Sequence, residues 1–156
     1  MRFVLIDRFL ELEPERRAVA VKTFSPDEEV FADHFPGFAV VPGVLLTEAM
    51  GQAAGWLLAA SFGFERWPLL AMIERAKFRR LVRPGEELRL TASVEPRGER
   101  DHEARTEAAV GAERVADARL LFHVYDLPGD GEERARLSAW SRATFARLAP
   151  PGVVVA

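Results

Sequence analysis

Residues 34–52 bring three kinds of reactive group close together in the chain: His34, Glu48 and the helix-opening turn Pro42-Gly43-Val44. Glu48 is the one carboxylate in the apolar run from Val40 to Ala60. An unpaired charge buried there is costly, which favours the neutral acid and suits a general acid. Gln52 lies one helical turn on, on the same face, and can hold the carboxyl by a hydrogen bond. Gly51 and Gly55 flank that face and would keep it open to a ligand or another backbone. His34 stands between Asp33 and Phe35 and ahead of Pro36-Gly37, so the restricted backbone that follows presents its imidazole rigidly, as a base requires. At Pro42-Gly43-Val44 the first backbone N–H groups of a helix lack intrahelical acceptors and can polarise a carbonyl oxygen. Gly43 has no side chain to keep a substrate away from them. A base, an acid and an oxyanion-type donor in one short segment match β-elimination next to a carbonyl.

Each residue also has a blander reading. Glu48 alone is an ordinary helix glutamate with a distant arginine partner, and His34 alone is a solvent-facing loop histidine. The apolar run around Glu48 and the neighbouring histidine loop favour the chemical reading. His102 and His123 sit in plain strand patterns and are read as structural.

These groups must be positioned by a particular set of elements. Residues Arg2–Leu12 and Arg17–Phe24 read as two antiparallel strands around the turn Glu13-Pro14-Glu15. Ser25-Pro26-Asp27 reads as a cap opening a short helical turn over Asp27–Ala32. Gly43 to about Phe62 is free of proline and rich in Ala, Leu and Met, and predicts the one long helix. Strands are predicted at Pro68–Glu74, Ala76–Val82, Glu87–Glu95, His102–Val110 and Arg114–Tyr125. Past Leu127-Pro128-Gly129, residues Glu132–Leu148 predict an amphipathic helix on Leu137, Trp140, Ala143, Phe145 and Leu148. The fold class is therefore α+β, an antiparallel sheet around one apolar helix. The domain spans 1–127, with a C-terminal extension over 128–156.

Composition narrows the function classes. A chain of 156 residues is one domain, and a formal net charge of -3 without a binding module argues against nucleic acid. Cysteine is absent, which excludes thiolate nucleophiles, disulfides and Cys-ligated metals and fits a cytoplasmic setting. No membrane span is expected, because Pro42, Glu48 and Gln52 interrupt the longest apolar run.

The stretch His34-Phe-Pro-Gly-Phe-Ala-Val-Val-Pro-Gly-Val-Leu-Leu-Thr-Glu48-Ala-Met-Gly-Gln52 resembles the signature of the 3-hydroxyacyl-acyl-carrier-protein dehydratases of the FabZ/FabA type. Ile73–Arg80 and Arg83–Leu90 are similar to the strands that follow in that family, and the resemblance covers about residues 2–126. It implies a hot-dog fold acting as a homodimer or higher homo-oligomer, with His34 of one protomer facing Glu48 of the other. It further implies that His34 removes the C2 proton of a 3-hydroxyacyl thioester and that Glu48 protonates the departing hydroxyl. Phe35, Pro42, Gly43, Val44 and Gln52 form the expected substrate-binding set, and no cofactor or metal is implied. A glutamate at 48, where some relatives carry aspartate, leans to the dehydratase-only subgroup. Asp33 stands where glycine is common, and Ala39 where proline is usual.

Arg75, Lys77, Arg79, Arg80 and Arg83 form a basic cluster in an acidic chain. It reads as a docking site for acyl-carrier protein or the phosphate of its pantetheine arm (Arg75, Lys77, Arg79 and Arg80), or as a charged edge strand that resists self-pairing. Trp140 and Phe145 are expected to dock the tail helix on the domain, with a tunnel mouth as the other place for them. Two alternative functions share this fold. A thioesterase would need the helix carboxylate but not His34, and a non-catalytic acyl-binding subunit would need neither.

Overall fold

In the computed structural model, which describes residues 3–149, the chain runs β1 (Arg8–Glu13), β2 (Arg17–Thr23), α1 (Val30–Asp33) and α2 (Gly43–Ser61), then β3 (Arg66–Phe78) and β4 (Glu87–Pro96). It continues through β5 (Asp101–Val110), β6 (Glu113–Asp126) and α3 (Gly131–Ala146). The strands make one antiparallel sheet in the order β1-β2-β4-β5-β6-β3. The chain leaves this sheet after β2, lays α2 against it, and returns on the far edge as β3. α2 touches β2, β3, β4, β5 and β6, so the sheet wraps it as the α+β reading requires.

The core follows from two periodicities meeting. On α2, Leu46, Ala49, Met50, Ala53, Ala54, Leu57 and Leu58 are all buried. Small residues at 49, 53 and 54 let the strands approach closely. Alternate residues of the strands answer them: Leu88, Leu90 and Ala92 on β4, Ala104 and Ala108 on β5, Ala116, Leu120 and Phe122 on β6. Each large aliphatic side chain so buried contributes about 1.5–3 kcal/mol.

The intervening positions carry ion pairs. Glu11 takes Arg17 and Arg89, Glu107 takes Arg114, and Glu103 on β5 is bonded by Arg97 and by Arg105 at 2.9 Å. Covered by these guanidinium groups, Glu103 is only 3% exposed.

α3 is clamped to the body at several points. Asp130 and Glu133 form a capping box at its start. Arg142 reaches the Gly63 carbonyl at 2.5 Å and Glu65 at 2.9 Å, and Ser138 reaches Glu65 at 3.1 Å. Phe145 is 1% exposed among Phe9, Trp56 and Phe64, with ring centroids 5.3–6.0 Å away. Beyond α3, the Leu148 carbonyl accepts the Phe9 N–H and so occupies the outer side of edge strand β1.

Several expectations need correction. Residues 3–7 lie outside the sheet: the Leu5 N–H bonds to the Gln52 side chain, and β2 is first reached by the Asp7 N–H, which donates to the Val21 carbonyl at 2.9 Å. The first residues of the expected strand and residues 150–156 of the extension lie outside the described residues. The short helix begins three residues later than expected, since the bonds from Ser25 first build a turn. The two strands expected over 68–82 are one strand, β3, whose pairing slips between Leu70 and Met72 and between Ile73 and Arg75. Two unpaired residues reset the alternation, which makes one bulged strand look like two short ones. The buried face of α3 is Ser138, Thr144 and Phe145, while Trp140 and Ala143 face outward.

Hydrogen bonds from Arg97 and then Arg105 hold the Glu103 carboxyl below its ordinary pKa of 4.5. A lowered pKa contributes stability that is complete above that ordinary value and is lost as pH falls through the lowered one. Urea midpoints should therefore be higher for the wild type than for Glu103→Gln at neutral pH. The two curves should converge as the medium is acidified below pH 4.5, whereas a constant gap would deny the ion-pair contribution.

Candidate active site

His34 is the residue at which α1 stops, and a set of backbone bonds ties down its loop. Its N–H donates to the Val30 carbonyl at 3.1 Å, and its own carbonyl accepts the Val40 N–H at 3.3 Å. The Phe38 N–H donates to the Phe35 carbonyl at 2.9 Å, with Gly37 at φ +76° supplying the left-handed corner. The His34–Phe35 peptide is cis. The loop ends where the Val41 N–H donates to Val82 at 2.7 Å.

The imidazole is oriented from within the same loop. Nδ1 of His34 lies 3.1 Å from the Val40 carbonyl oxygen. A carbonyl only accepts, so Nδ1 carries the hydrogen and the neutral ring keeps its lone pair on Nε2. That is the tautomer of a base acting through Nε2. Asp33 is exposed and forms no hydrogen bond with His34, so Val40 orients the ring and the acid beside it does not. Ala39 is half-buried against the core.

At the start of α2, Leu45 and Leu46 donate to the Pro42 carbonyl, and the Thr47 hydroxyl donates to Gly43 at 3.0 Å. Among the described residues, the N–H groups of Gly43 and Val44 have no acceptor, and Val44 is 74% exposed. The structural reason for Gly43 differs from the expected one. A Cβ there would stand 3.0 Å from the Phe78 ring, so the missing side chain makes room for β3. A Cβ at Gly51 or Gly55 would stand 3.8 Å from Leu120 or 3.6 Å from Phe122, ordinary contact that β6 accommodates without moving.

Glu48 is half-buried, and its Oε1 accepts a hydrogen bond from the Gln52 amide at 2.9 Å, the partner expected from the i, i+4 spacing. The same amide group donates to the Phe3 carbonyl at 3.2 Å, while Gln52 Oε1 accepts the Leu5 N–H at 2.7 Å. Gln52 thus holds the carboxyl and fastens the N-terminal segment to α2. Oε2 of Glu48 has no partner among the described residues and remains available for proton transfer.

Glu48 opens onto a cleft of about 310 Å³ lined by Gln52, Gly55 and Trp56 of α2, Trp67, Leu69 and Leu70 of β3, Phe3 at the N-terminus and Trp140 of α3. His34 does not line this cleft. Within one chain, Glu48 and His34 therefore do not line a common cleft. Sequence reasoning missed Phe3 and Leu69 because they belong to segments that read simply as strands, and Trp67 because it falls just before one. The mixed Trp-Pro-Leu-Leu composition at 67–70 was the available signal.

The basic cluster is largely paired. Arg75 at 2.9 Å and Arg79 both bond Asp117 on β6, and Arg80 bonds Glu86 and Glu113. The Arg83 guanidinium lies 4.4 Å over the Phe38 ring. Lys77 forms no ion pair among the described residues. His123 pairs with Asp101 at 2.6 Å, and His102 sits edge-on to Phe62; neither lines the cleft.

Residues 1–119 match the FabA-like domain. The 3-hydroxyacyl-acyl-carrier-protein dehydratase FabZ of Symbiobacterium thermophilum is 45% identical over 125 residues, covering 80% of this chain and 88% of that protein. The chain belongs to the FabA-like dehydratase family. It is, as its signature residues implied, a dehydratase.

Solved structures of lower identity agree on the fold. The dehydratase heterocomplex ApeI:P from Xenorhabdus doucetiae superposes with a TM-score of 0.59 at 19% identity, covering 72% of this chain and 92% of that one. A fluoroacetyl-CoA-specific thioesterase, FlK, does so with a TM-score of 0.60 at 16% identity, covering 74% and 97%. The FabA-like match ends at residue 119, so α3 lies wholly beyond it.

If Gln52 holds this dehydratase's carboxyl as described, Gln52→Ala should lower kcat on the order of a hundredfold through misplacement of Glu48. It should also cost about 1–3 kcal/mol by leaving the buried Leu5 N–H unpaired. Steady-state kinetics and urea unfolding of the same preparation check the two effects separately.

Proposed function

We propose that this protein dehydrates (3R)-hydroxyacyl thioesters carried on acyl-carrier protein to trans-2-enoyl thioesters, within fatty-acid or related lipid synthesis in the cytoplasm. The observation that carries the reading is the pair of oriented groups: an imidazole with Nε2 unprotonated and a carboxyl with Oε2 unoccupied. His34 Nε2 takes the C2 proton, and the electrons released form the C2–C3 double bond. The C3–O bond breaks as Glu48 delivers its proton to the departing hydroxyl, which leaves as water. The N–H groups of Gly43 and Val44 polarise the thioester carbonyl, which makes the C2 proton more acidic. Phe35 and Pro42 flank the approach to these groups.

Acid and base come from different protomers in this reading. β3 is an edge strand of thirteen residues, and it exposes Trp67, Leu69, Leu70, Met72, Ile73 and Phe78. A long, apolar, unpaired edge is an aggregation hazard unless a partner covers it. A second copy pairing along β3 covers it and carries its own His34 towards the Glu48 cleft. The carrier's acidic surface meets Lys77, which forms no ion pair among the described residues, and the exposed part of Arg75.

His34→Ala and Glu48→Gln should each abolish hydration of crotonyl thioesters, followed by absorbance. Unfolded together and refolded as a mixture, the two inactive variants should recover roughly a quarter of wild-type activity, since half the dimers are mixed and each has one complete site. No recovery from well-folded mixed dimers would place both residues in one protomer. Release of free thiol in place of enoyl turnover would make the enzyme a thioesterase.

Lys77→Glu should raise KM for carrier-linked substrate by about tenfold and leave small thioester analogues nearly unaffected. Equal effects on both substrates would remove the docking role.

A further inference from the structure

α3 lies outside the FabA-like match, yet it helps build the Glu48 cleft. Its orientation is fixed by bonds already described. Ser138, Arg142 and Phe145 lie on one stripe of the helix and bind the body through Glu65, the Gly63 carbonyl and the aromatic cluster. At about 100° per residue, Ser141 stands about 65° from the middle of that stripe, Thr144 about 125° and Trp140 about 165°, nearly opposite it. These three residues line the cleft.

The position of Trp140 along the cleft also follows. The cleft runs beside α2 from Glu48 past Gln52 and Gly55 to Trp56 and Ala59, roughly 16 Å of helix at 1.5 Å per residue. Ser138 and Arg142, on either side of Trp140, are both anchored to residues 63–65, just past the last turn of α2. Trp140 therefore enters at the end away from Glu48. Its ring is 61% exposed, so packing within the chain does not account for it as it does for Phe145.

We propose that α3 is the end wall of the acyl-binding cleft, and that Trp140 is a specificity-determining residue that sets the longest acyl chain accepted. The inference rests on the reading of Glu48 as the acid at the head of the cleft. The cleft measures about 310 Å³ in one protomer, and the wall stands at its far end. The acyl chain meets Trp67, Leu69 and Trp56 on the way and stops against the Trp140 indole.

The test compares wild type, Trp140→Ala and Ser141→Trp on a series of trans-2-enoyl thioesters from butenoyl to tetradecenoyl. Binding of the matching unreactive alkyl thioethers of CoA is measured alongside. Trp140→Ala should raise the ratio of long-chain to short-chain kcat/KM by about tenfold or more, and Ser141→Trp should lower it. Binding of the thioethers should shift in the same two directions. Unchanged chain-length profiles in both folded variants would overturn the proposal. So would loss of the oligomer in Trp140→Ala, seen by gel filtration, because the indole would then be a subunit contact. If no enoyl thioester is turned over by wild type but the binding profiles shift as stated, the dehydration reading of the Glu48 cleft fails and the end wall stands.

Discussion

A helix wrapped by a sheet must satisfy every polar side chain it carries, because water is not at hand to do so. On α2 that requirement falls on few residues, and their partners organise much of the molecule. Thr47 bonds back to its own helix at Gly43, and Ser61 joins the Leu57 carbonyl to the Glu15 N–H in the β1–β2 turn. Gln52 carries the heaviest share: its oxygen takes the Leu5 N–H, and its amide group is divided between Phe3 and Glu48. One amide thus couples the N-terminal segment, the core helix and the Glu48 carboxyl.

The two edges of the sheet are treated differently, and the difference shapes the functional reading. At β1, the chain following α3 returns and places the Leu148 carbonyl on the Phe9 N–H. At β3, the edge is long and rich in exposed apolar side chains. Across the sheet surface between them, carboxylates and guanidinium groups alternate, with Glu103 and Asp117 each shared by two arginines. Such a face is well solvated and poorly suited to apolar association, whereas the β3 edge and the cleft beside it expose apolar side chains to a partner.

Fold similarity alone does not choose the reaction. A dehydratase complex and a thioesterase superpose on this chain with TM-scores of 0.59 and 0.60. The choice comes from residue-level identity to FabZ and from side chains that suit dehydration, since a loop histidine with a defined tautomer has no necessary part in carboxylate-assisted hydrolysis. α3 adds a feature the family match does not contain: aromatic and hydroxyl groups brought to a cleft that the rest of the chain leaves open at that side.

Much of this was legible in the residues themselves. Local chemistry determined α2, because a proline-free run of Ala, Leu and Met can do little else, and the i, i+4 spacing placed Gln52 beside Glu48. Alternation located β2, β4, β5 and β6 to within a few residues. The bulged strand β3 was read as two, since an unpaired residue resets the alternation and only a neighbouring strand reveals the register. Gly43 was assigned to substrate access, whereas its neighbour in space is Phe78, far away in sequence. Trp140 and Phe145 are both aromatic and both suggest docking of α3, but they stand about 140° apart on the helix, and the anchors at Glu65 bury Phe145 and leave Trp140 exposed beside the cleft. Sequence by itself determined the elements and the reactive groups, because those depend on near neighbours. Tertiary structure decided tautomer, register and which face of α3 meets the site, because those depend on partners that only folding brings within reach.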